Sequence, residues 1–425
     1  MLDLKFILKN PDIVKRDLKK RGMNEKISWV DDIVSITEKQ NLLKKRIDEL
    51  RHERNKISEE INKLKKQGKD ASELLKRAST IPEEIKKLEQ EYNEKAEKIN
   101  YYLMRIPNIL DESVPIGKDE TENVELYRVG NPKKFDFELK PHGQIAEELG
   151  IADFKRAAKV VGTGFVYIKK ELALLDLAIQ RFAIDFLIKK GFTLVEPPFI
   201  LGRKAYEGVT SLDDFENVMY KIENENSYLI ATAEHPLVSM YMDEVIDEEE
   251  LPIKLVGFSP CFRKEIGSHG VDTRGFFRMH QFNKVEQVVF SKPEESWKLF
   301  DEILKNTEEM LQKLEIPYRV VSICTGDIGI VAAKKYDIEA WFPRENAYRE
   351  VASCSNCTAY QAVRLNIKVK RKNGQKEYLH TLNNTGLATS RIMRAILENY
   401  QTKNSEIEIP KVLQPYMNGI KKIEK

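Results

Sequence analysis

The chain has few of the residues that build disulfide-linked or membrane-spanning structures. Four of its 425 residues are cysteines, Cys261, Cys324, Cys354 and Cys357, and they suit a reducing compartment, not a disulfide framework. No run approaches the roughly 18 consecutive apolar residues that a membrane helix needs. The first residues, MLDLKFILKN, have an acidic third position and no small-residue cleavage site, unlike a secretory signal. The sequence therefore predicts a cytoplasmic protein that has no membrane partner.

The usual glycine-rich nucleotide motifs are also missing. There is no GxxxxGK[ST] loop, and VVGTGF at 160–165 lacks the third glycine and the strand–helix context of a dinucleotide site. A nucleotide bound by this chain would therefore need other cations for its phosphates. Arginine is the obvious substitute, because its guanidinium offers paired donors to phosphate oxygens and keeps its charge.

Charge is distributed unevenly along the chain. Residues 1–110 contain 26 Lys and Arg against 20 Asp and Glu, whereas the remainder contains 44 against 48. A basic N-terminal part on an acidic remainder favours a polyanionic partner for the first part. Lysine-rich solvated helix faces are common, so this asymmetry alone does not identify the partner.

Residues from about 29 to 104 have the pattern of a long helical hairpin. Apolar residues follow a heptad spacing in both arms, at Ile33, Ile36, Leu43, Ile47, Leu50, Ile57, Ile61 and Leu64 and again at Leu74, Ala78, Ile81, Ile85, Leu88, Tyr92, Ala96, Ile99 and Leu103. The segment KKQGKDAS (65–72) predicts the reversal, and Pro82 predicts an interruption or a helix start. Such a hairpin is either a dimerisation rod or a binding arm.

The residues beyond the hairpin predict an α+β domain. IPNILDESVPIG (106–117) is an aperiodic, proline-bearing linker, so that the predicted domains are 1–110 and 111–425. Strand-like runs are predicted at 192–200, 228–233, 253–264, 276–290, 318–323, 337–343, 350–355, 362–371 and 377–383. Helices are predicted at 171–191 and at 385–400, where Thr385 would be the cap. Because these strands do not alternate regularly with helices, we expect a mostly antiparallel sheet flanked by helices.

One short stretch concentrates charged side chains among aromatic ones. FRKEIGSHGVDTRGFFRMHQFNKVE (262–286) contains Arg263, Arg274, Arg278, Glu265 and Glu286. If 276–290 is one strand, alternate residues share a face, namely Arg278, His280, Phe282, Lys284 and Glu286. Such a face could hold a phosphate, a stacked base and an amine. The alternative is a cross-strand ladder of salt bridges, which is common on sheet surfaces.

The chain resembles the class II aminoacyl-tRNA synthetases, and the seryl-tRNA synthetases in particular. GFTLVEPPFI resembles motif 1 (about 185–200), FRKE with RMHQFNKVE resembles motif 2 (about 257–290), and NNTGLATSRIMRAILENY resembles motif 3 (about 383–400). TAEHP (232–236), EVASCSNCTAYQAVRLNIK (350–368), IPKVLQPYM (409–417) and the N-terminal LDLKFILKNPDIVKRDLKKRG resemble the seryl family. The class I markers HIGH and KMSKS are absent.

The resemblance implies a set of site residues. The ATP-binding residues would be Arg263, Glu265, Arg278, Phe282, Glu350, Ser353 and Arg391, of which Arg263, Arg278 and Arg391 would act in catalysis on the phosphates. Glu265 would contact the adenine edge and Phe282 would stack on the ring. Glu350 and Ser353 would carry Mg²⁺ with ATP. The serine-binding residues would be Thr232, Ala233, Glu234, Glu286 and Thr385.

The resemblance also implies an activity and its partners. ATP would activate L-serine as a seryl-adenylate, which would then acylate tRNA(Ser) and, where a cell has it, tRNA(Sec). The enzyme would be a homodimer whose hairpin holds tRNA bound mainly to the other subunit. Three other functions are a carrier-protein aminoacyl ligase, a non-enzymatic RNA-binding relative and a coiled-coil scaffold. The intact hairpin is evidence against the carrier-protein ligase, and the presence of all three arginines is evidence against the non-enzymatic relative. A coiled-coil scaffold would not need motif 2.

Two smaller features have simple interpretations. Cys354 and Cys357 form a lone CxxC, and a zinc site needs four ligands, so we expect buried thiols and no zinc. His235, after TAE, is expected in a pocket wall. His269 is expected to be structural or to lie near the end of the tRNA.

Overall fold

The structure is a computed structural model that describes residues 1–211, 216–265 and 275–425. Arg274 and His269 lie outside the described residues. The chain divides into two compact units, residues 2–107 and a larger unit of Met1 with residues 108–425. Among the described residues, no helix is long and apolar enough to span a bilayer.

The N-terminal unit is helical. Its α-helices are Leu4–Lys9, Pro11–Lys20, Ile27–Lys66 and Ser72–Arg105, with a 3₁₀ turn at Asn24–Lys26. The two long helices bury Ile47, Leu50, Ile57, Ile61, Ile81 and Ile85 against each other. Gly68 has a left-handed φ of 65°, and Lys69 N–H donates to Leu64 O at 3.0 Å, which closes the first helix. The predicted antiparallel hairpin is thus confirmed.

Pro82 does not interrupt the second arm, contrary to the sequence expectation. It lies inside the continuous helix Ser72–Arg105. An interior proline costs about 3 kcal/mol, but Ile81 and Ile85 on either side of it are buried in the seam. Arg77 also donates to Glu53 at 2.7 Å on the facing helix and to Glu84 at 2.5 Å, beyond the proline. Packing and these bonds hold the helix across the missing backbone bond.

The larger unit is built on an eight-stranded sheet. Its strands are β1 Val124–Val129, β4 Thr193–Val195, β8 Ile253–Phe262, β9 Gln281–Ser291, β10 Tyr318–Ser322, β11 Lys334–Phe342, β12 Ala347–Asn356 and β15 His380–Ala388. Their order in the sheet is β1-β10-β11-β12-β15-β9-β8-β4, in which β4–β8 is the parallel pair. The predicted α+β fold with a mostly antiparallel sheet is confirmed.

Smaller strands and helices surround this sheet. The short strands are β2 Ala152–Asp153, β3 Tyr167–Ile168, β5 Ile200–Gly202, β6 Ser227–Leu229, β7 Val245–Asp247, β13 Lys368–Lys370, β14 Lys376–Tyr378, β16 Ile407–Glu408 and β17 Lys422–Ile423. The α-helices are His142–Glu148, Phe154–Val161, Lys170–Lys189, Arg203–Val209, Glu234–Ser239, Ser296–Lys313, Tyr360–Leu365 and Thr389–Asn399. Short 3₁₀ helices are Glu120–Glu122, Glu248–Glu250, Pro293–Glu295 and Lys411–Met417.

The central strand β9 separates two apolar clusters. Val285 and Val289 pack in the larger cluster with the helices Lys170–Lys189 and Ser296–Lys313. Val288 and Phe290 pack in a second cluster with Tyr206 and neighbouring residues. Because side chains alternate along a strand, Lys284 and Glu286 belong to the face of the second cluster, whereas Phe282, near the start of the strand, packs against the larger cluster.

Several element boundaries differ from the sequence expectations. The strand predicted at 192–200 is limited to Thr193–Val195, with Ile200 in β5, and the strand predicted at 228–233 ends at Leu229. The strand predicted at 276–290 begins at Gln281, because Phe276 N–H donates to a side chain, His142, and His280 N–H to Gly164 O. Residues 362–365 of the strand predicted at 362–371 belong to the helix Tyr360–Leu365. The helix predicted from Thr385 begins at Thr389, since 380–388 form the strand β15, which pairs with both β9 and β12.

Candidate active site

The site starts where β8 and β9 run side by side. Cys261 pairs with Phe282, Ser259 with Lys284 and Gly257 with Glu286. The predicted common face of Phe282, Lys284 and Glu286 therefore forms. Arg278 and His280, predicted on the same face, precede the strand and do not share its alternation.

An arginine and an aromatic ring lie together at the end of this strand pair. The Arg263 guanidinium carbon lies 5.4 Å from the centre of the Phe282 ring, and Arg263 Nε donates to Ala231 O at 3.3 Å. Both residues are half-buried. A planar ring offers a face on which a flat heterocycle can stack, and the fixed guanidinium beside it offers a charge for a phosphate. Glu265 follows the strand, half-buried, with a left-handed φ of 46°.

Two carboxylates occupy the middle of the same face. Glu286 is 1% exposed, and its Oε2 lies 2.6 Å from Lys284 Nζ. Glu234, at the start of the helix Glu234–Ser239, accepts hydrogen bonds from Gln361 at 3.0 Å and Asn383 at 3.1 Å. Burial and the nearby Glu286 charge raise the pKa of Glu234 to about 7. Burial also raises the pKa of Glu286, against the opposing charge of Lys284.

The remaining predicted serine-pocket residues border this pair. Thr385, on β15, faces Glu286 across the ladder and donates from Oγ1 to Glu286 Oε2 at 3.4 Å. Buried Thr232 accepts the Glu234 N–H at 3.2 Å, and Ala233 is fully buried. His235 is buried in the wall, where desolvation and the charges of Lys284 and Arg263 lower its pKa to about 3.

A second charged group lies on β12. Arg391 Nη1 lies 3.0 Å from the Glu350 carboxylate and donates to the Glu350 backbone oxygen at 2.9 Å. Removal from water would raise the pKa of Glu350, but the charges of Arg391 and Lys335 outweigh it and hold that pKa below its ordinary value. Glu350 is therefore ionised at neutral pH.

A β-bulge brings Ser353 to the same side as Glu350. Ile338 pairs with Ala352 and the next residue, Glu339, pairs with Glu350, which leaves Val351 as the extra residue. Residues three apart face opposite sides of a regular strand, and one bulge reverses that relation. A carboxylate and a hydroxyl thus share one face.

The sequence interpretation missed Asp337. This residue is 7% exposed, stands opposite Ser353 in the ladder and is hydrogen-bonded by the Ser353 side chain. Burial, opposed by Lys335 and assisted by Glu350, raises the pKa of Asp337 to about 7. No motif marks this aspartate, and only the register of β11 against β12 places it beside a predicted site residue.

Arg278 lies in the segment 275–280, and its side chain is exposed. Its neighbour Phe277 contacts the motif 3 helix, since the Arg391 guanidinium carbon lies 5.1 Å from the Phe277 ring centre. The segment that carries Arg278 therefore runs beside Arg391.

The cysteines of the CxxC sequence are buried thiols. Cys354 and Cys357 are unpaired with other cysteines and buried, and burial raises the pKa of both. Across 1–211, 216–265 and 275–425, no three His, Cys, Asp or Glu side chains are grouped so as to hold a metal ion.

Comparison with known proteins first defines the class. Residues 219–400 match the tRNA synthetase class II core domain (G, H, P, S and T), and residues 1–110 match the seryl-tRNA synthetase N-terminal domain. Along the sequence, the chain thus has a seryl-type N-terminal domain followed by a class II aminoacyl-tRNA synthetase core.

Whole-chain relatives then give the family. The serine–tRNA ligase of Methanocella arvoryzae is 58% identical over 99% of both chains, and that of Pyrococcus horikoshii is 51% identical over 100% of this chain and 97% of its own. The P. horikoshii seryl-tRNA synthetase structure complexed with ATP superposes with a TM-score of 0.93, at 50% identity over 100% of this chain and 99% of that one. The cytoplasmic serine–tRNA ligase of Naegleria fowleri in complex with AMP gives 0.87, at 37% identity over 100% and 99%. The chain belongs to the seryl-tRNA synthetase family.

Proposed function

We propose that this chain activates L-serine with ATP and transfers it to tRNA(Ser), through the residues assembled on β8, β9, β12 and β15. The observation that carries the assignment is the adjacency of two sites of opposite character. Arg263 and Phe282 suit a nucleotide, and Glu234 with Glu286 suits an amine.

ATP binds along the cationic side. Phe282 stacks on the adenine ring, Glu265 accepts from its amino edge, and Arg263 contacts the α-phosphate. Arg278 and Arg391 hold the β- and γ-phosphates. Three guanidinium groups replace the missing glycine-rich loop, since each can donate two hydrogen bonds to phosphate oxygens.

Serine binds over the carboxylate pair. Its ammonium group complements Glu234 and Glu286, two carboxyl groups beside the single ammonium group of Lys284. Thr385 and Glu286 supply hydrogen bonds to the hydroxyl, and Thr232 and Ala233 complete the wall. A pocket that pairs the hydroxyl rejects alanine, because its own polar groups would be left unpaired.

Mg²⁺ fits the oxygen donors of β12. Glu350 is ionised and the bulge places Ser353 beside it, and Mg²⁺ favours a few protein oxygens together with phosphate oxygens. Glu350 and Ser353 would hold the ion, which neutralises phosphate charge when bound.

The reaction needs alignment more than proton transfer. The serine carboxylate is already ionised, so it attacks the α-phosphorus without a general base and pyrophosphate leaves. Arg263, Arg278 and Arg391 stabilise the charge that develops on the phosphates. A terminal ribose hydroxyl of tRNA then attacks the seryl carbonyl and releases AMP.

Motif 1 carries apolar side chains that a second copy would cover. Ile188 is 44% exposed and Leu194 is 44% exposed, and both lie in the predicted motif 1. Exposed apolar residues on neighbouring elements are typical of a self-complementary interface. We therefore expect a homodimer through this region.

The helical hairpin binds tRNA(Ser). It carries basic residues at Lys44, Lys45, Arg46, Arg51, Arg54, Lys63, Lys65 and Lys66. Phosphate contacts from such residues give an affinity that falls steeply with salt, and a helical RNA arm is recognised mainly by its shape.

The experiment compares activation with charging in the intact chain and in a version with residues 37–98 replaced by a short bridge. We expect serine-dependent ATP–pyrophosphate exchange within about threefold of the intact chain, because the charged groups assigned to activation lie beyond residue 190. Aminoacylation of tRNA(Ser) should fall about 100-fold and lose most of its salt dependence.

Absence of serine-dependent exchange in the intact chain would contradict the proposed activity. Unchanged charging by a folded, dimeric deletion protein would instead show that the hairpin has another role.

A further inference from the structure

A buried histidine outside the three motifs connects motif 2 to motif 3. His142 begins the short helix His142–Glu148, and its side chain is 0% exposed. Buried polar side chains are retained where they have hydrogen-bond partners. The partners of His142 come from elements far apart in sequence.

Both ring nitrogens of His142 have a defined partner. The Phe276 backbone N–H donates to His142 Nε2 at 3.2 Å, so Nε2 must carry a lone pair. The proton of the neutral ring is then on Nδ1, which faces Glu398 Oε1 at 3.1 Å. One imidazole thus joins the backbone of the 275–280 segment to a carboxylate of the helix Thr389–Asn399.

Glu398 is itself held firmly. Arg394 Nε donates to Glu398 Oε1 at 2.9 Å, and the Arg344 backbone N–H donates to Oε2 at 3.4 Å. Arg394 is 1% exposed, and its guanidinium carbon lies 4.8 Å from the Phe277 ring centre. Burial would raise the pKa of Glu398, but His142 and Arg394 hold it below its ordinary value.

The backbone at Gly275 passes directly against the imidazole. A Cβ at Gly275 would lie 2.1 Å from His142 Nε2, which leaves no space for a side chain. At the other end of the segment, His280 N–H donates to Gly164 O at 2.9 Å. Arg278 therefore projects from a stretch that is fixed on both sides.

We infer that His142 is a positioning residue for the phosphate-binding arginines, an inference that rests on the proposed function. It ties the segment of Arg278 to the helix of Arg391, so that both guanidinium groups stay aligned for the β- and γ-phosphates. Phe282 lies on β9 and Arg263 directly follows β8, and the ladder of these two strands is continuous without this tie. Loss of the tie should therefore weaken ATP binding more than AMP binding.

The test uses three substitutions of different reach in the full-length chain. His142→Phe keeps the ring and removes both hydrogen bonds. In His142→Gln the amide reaches the position of Nε2 and can accept from Phe276, whereas in His142→Asn it reaches only the position of Nδ1. His380→Gln is the matched control, because His380 is a half-buried histidine at the start of β15 that is bonded to Ser296 at 2.9 Å.

Pyrophosphate exchange gives the KM values for ATP and serine, and inhibition by AMP gives the affinity for the nucleotide without its outer phosphates. We expect His142→Phe and His142→Asn to raise the ATP KM about tenfold, as for the loss of one buried hydrogen bond. The serine KM and the AMP inhibition constant should stay within about twofold. His142→Gln should restore most of the ATP KM, and His380→Gln should change none of the three constants.

Thermal melting separates folding from positioning. If His142→Phe does not fold, the difference between the Gln and Asn variants decides. Equal ATP KM values in these two variants, or an equal loss of AMP and ATP binding, would overturn the inference while exchange itself persisted. Absence of exchange in the unmodified chain would instead overturn the proposed function.

Discussion

Carboxylates on β12 and on β9 meet opposite conditions within one sheet. Glu350 on β12 lies 3.0 Å from Arg391, and cations hold its pKa below the ordinary value. Glu234, in the helix Glu234–Ser239, lies close to Glu286 of β9. Burial raises the pKa of Glu234 to about 7, although the charge of Lys284, which lies beside Glu286, opposes this rise. The same chemical group is thus kept charged in one place and close to neutral in the other.

The difference reflects what each side lacks before its ligand binds. In the proposed site, Arg263, Arg278 and Arg391 supply guanidinium groups, which an anionic ligand completes. The β9 side has two carboxylates and one ammonium group, so a cationic ligand completes it. Electrostatic complementarity of this kind orients a ligand with a phosphate at one end and an amine at the other.

The largest effect is expected from the cationic side. Arg391→Ala should lower kcat/KM for pyrophosphate exchange at least 100-fold, or about 3 kcal/mol, because a charged phosphate contact is lost in the transition state. Arg391 is 23% exposed, so the protein should still fold. Steady-state exchange and a melting curve measure the two quantities.

Arg349→Ala is the control for that substitution. Arg349 lies on the same strand as Glu350 but pairs with Glu345 at 2.6 Å and is 51% exposed, so exchange should not change. Near-normal exchange in folded Arg391→Ala would mean that the triphosphate lies elsewhere.

A smaller effect is expected from the protonation of Glu234. Its folded pKa of about 7 exceeds the ordinary value of 4.5, so its contribution to stability is full below about pH 4.5 and is lost as the pH rises through about 7. Glu234 alone should therefore lower the free energy of unfolding by about 2–3 kcal/mol over this range, and the difference between wild type and Glu234→Gln isolates this contribution. Denaturant titrations at pH 5 and pH 7.5 measure it.

Glu234→Gln should remove most of that pH dependence. Part of it should persist, because burial also raises the pKa of the neighbouring Glu286. His235 and His380, whose pKa values of about 3 and about 4 lie below the ordinary 6.5, contribute slopes of the opposite sign, because they bind protons in the unfolded chain first. An unchanged slope in Glu234→Gln would show that another group titrates.

The sequence predicted the elements better than their boundaries. Heptad spacing predicted the hairpin. The effect expected of Pro82 considered only the local backbone, whereas the packing of Ile81 and Ile85 against the facing helix keeps the second arm continuous. Helical spacing in 385–400 concealed the end of β15, because apolar residues continue from the strand into the helix. Thr385 is therefore a strand residue opposite Glu286, not a helix cap.

Some site residues were predicted from the family resemblance although their spacing alone would place them on opposite faces of a strand. Glu350 and Ser353 are three residues apart, and only the bulge at Val351 places them on one face. Asp337 and His142 have no motif, since their importance depends on register and on a backbone N–H that no side-chain pattern encodes. Pairing and backbone hydrogen bonds are the information that the sequence pattern lacked.

The smallest effect is expected at Thr385. The Thr385 hydroxyl reaches Glu286 at 3.4 Å, and both side chains are buried, so an alanine substrate would leave them without a hydroxyl partner. Thr385→Ala should therefore reduce discrimination against alanine about tenfold, or about 1.4 kcal/mol. Discrimination against threonine should change less, because threonine brings a hydroxyl and is rejected by size.

Thr385→Ser provides the matched comparison for this last substitution. Serine keeps the hydroxyl and removes one methyl group, so discrimination against alanine should stay near the wild-type value. The ratio of kcat/KM values in pyrophosphate exchange with serine, alanine and threonine measures each variant. Equal losses against alanine and threonine in Thr385→Ala would place the hydroxyl contact elsewhere. A selective loss against alanine would instead show that Thr385, bonded to Glu286, takes part in recognising the substrate hydroxyl.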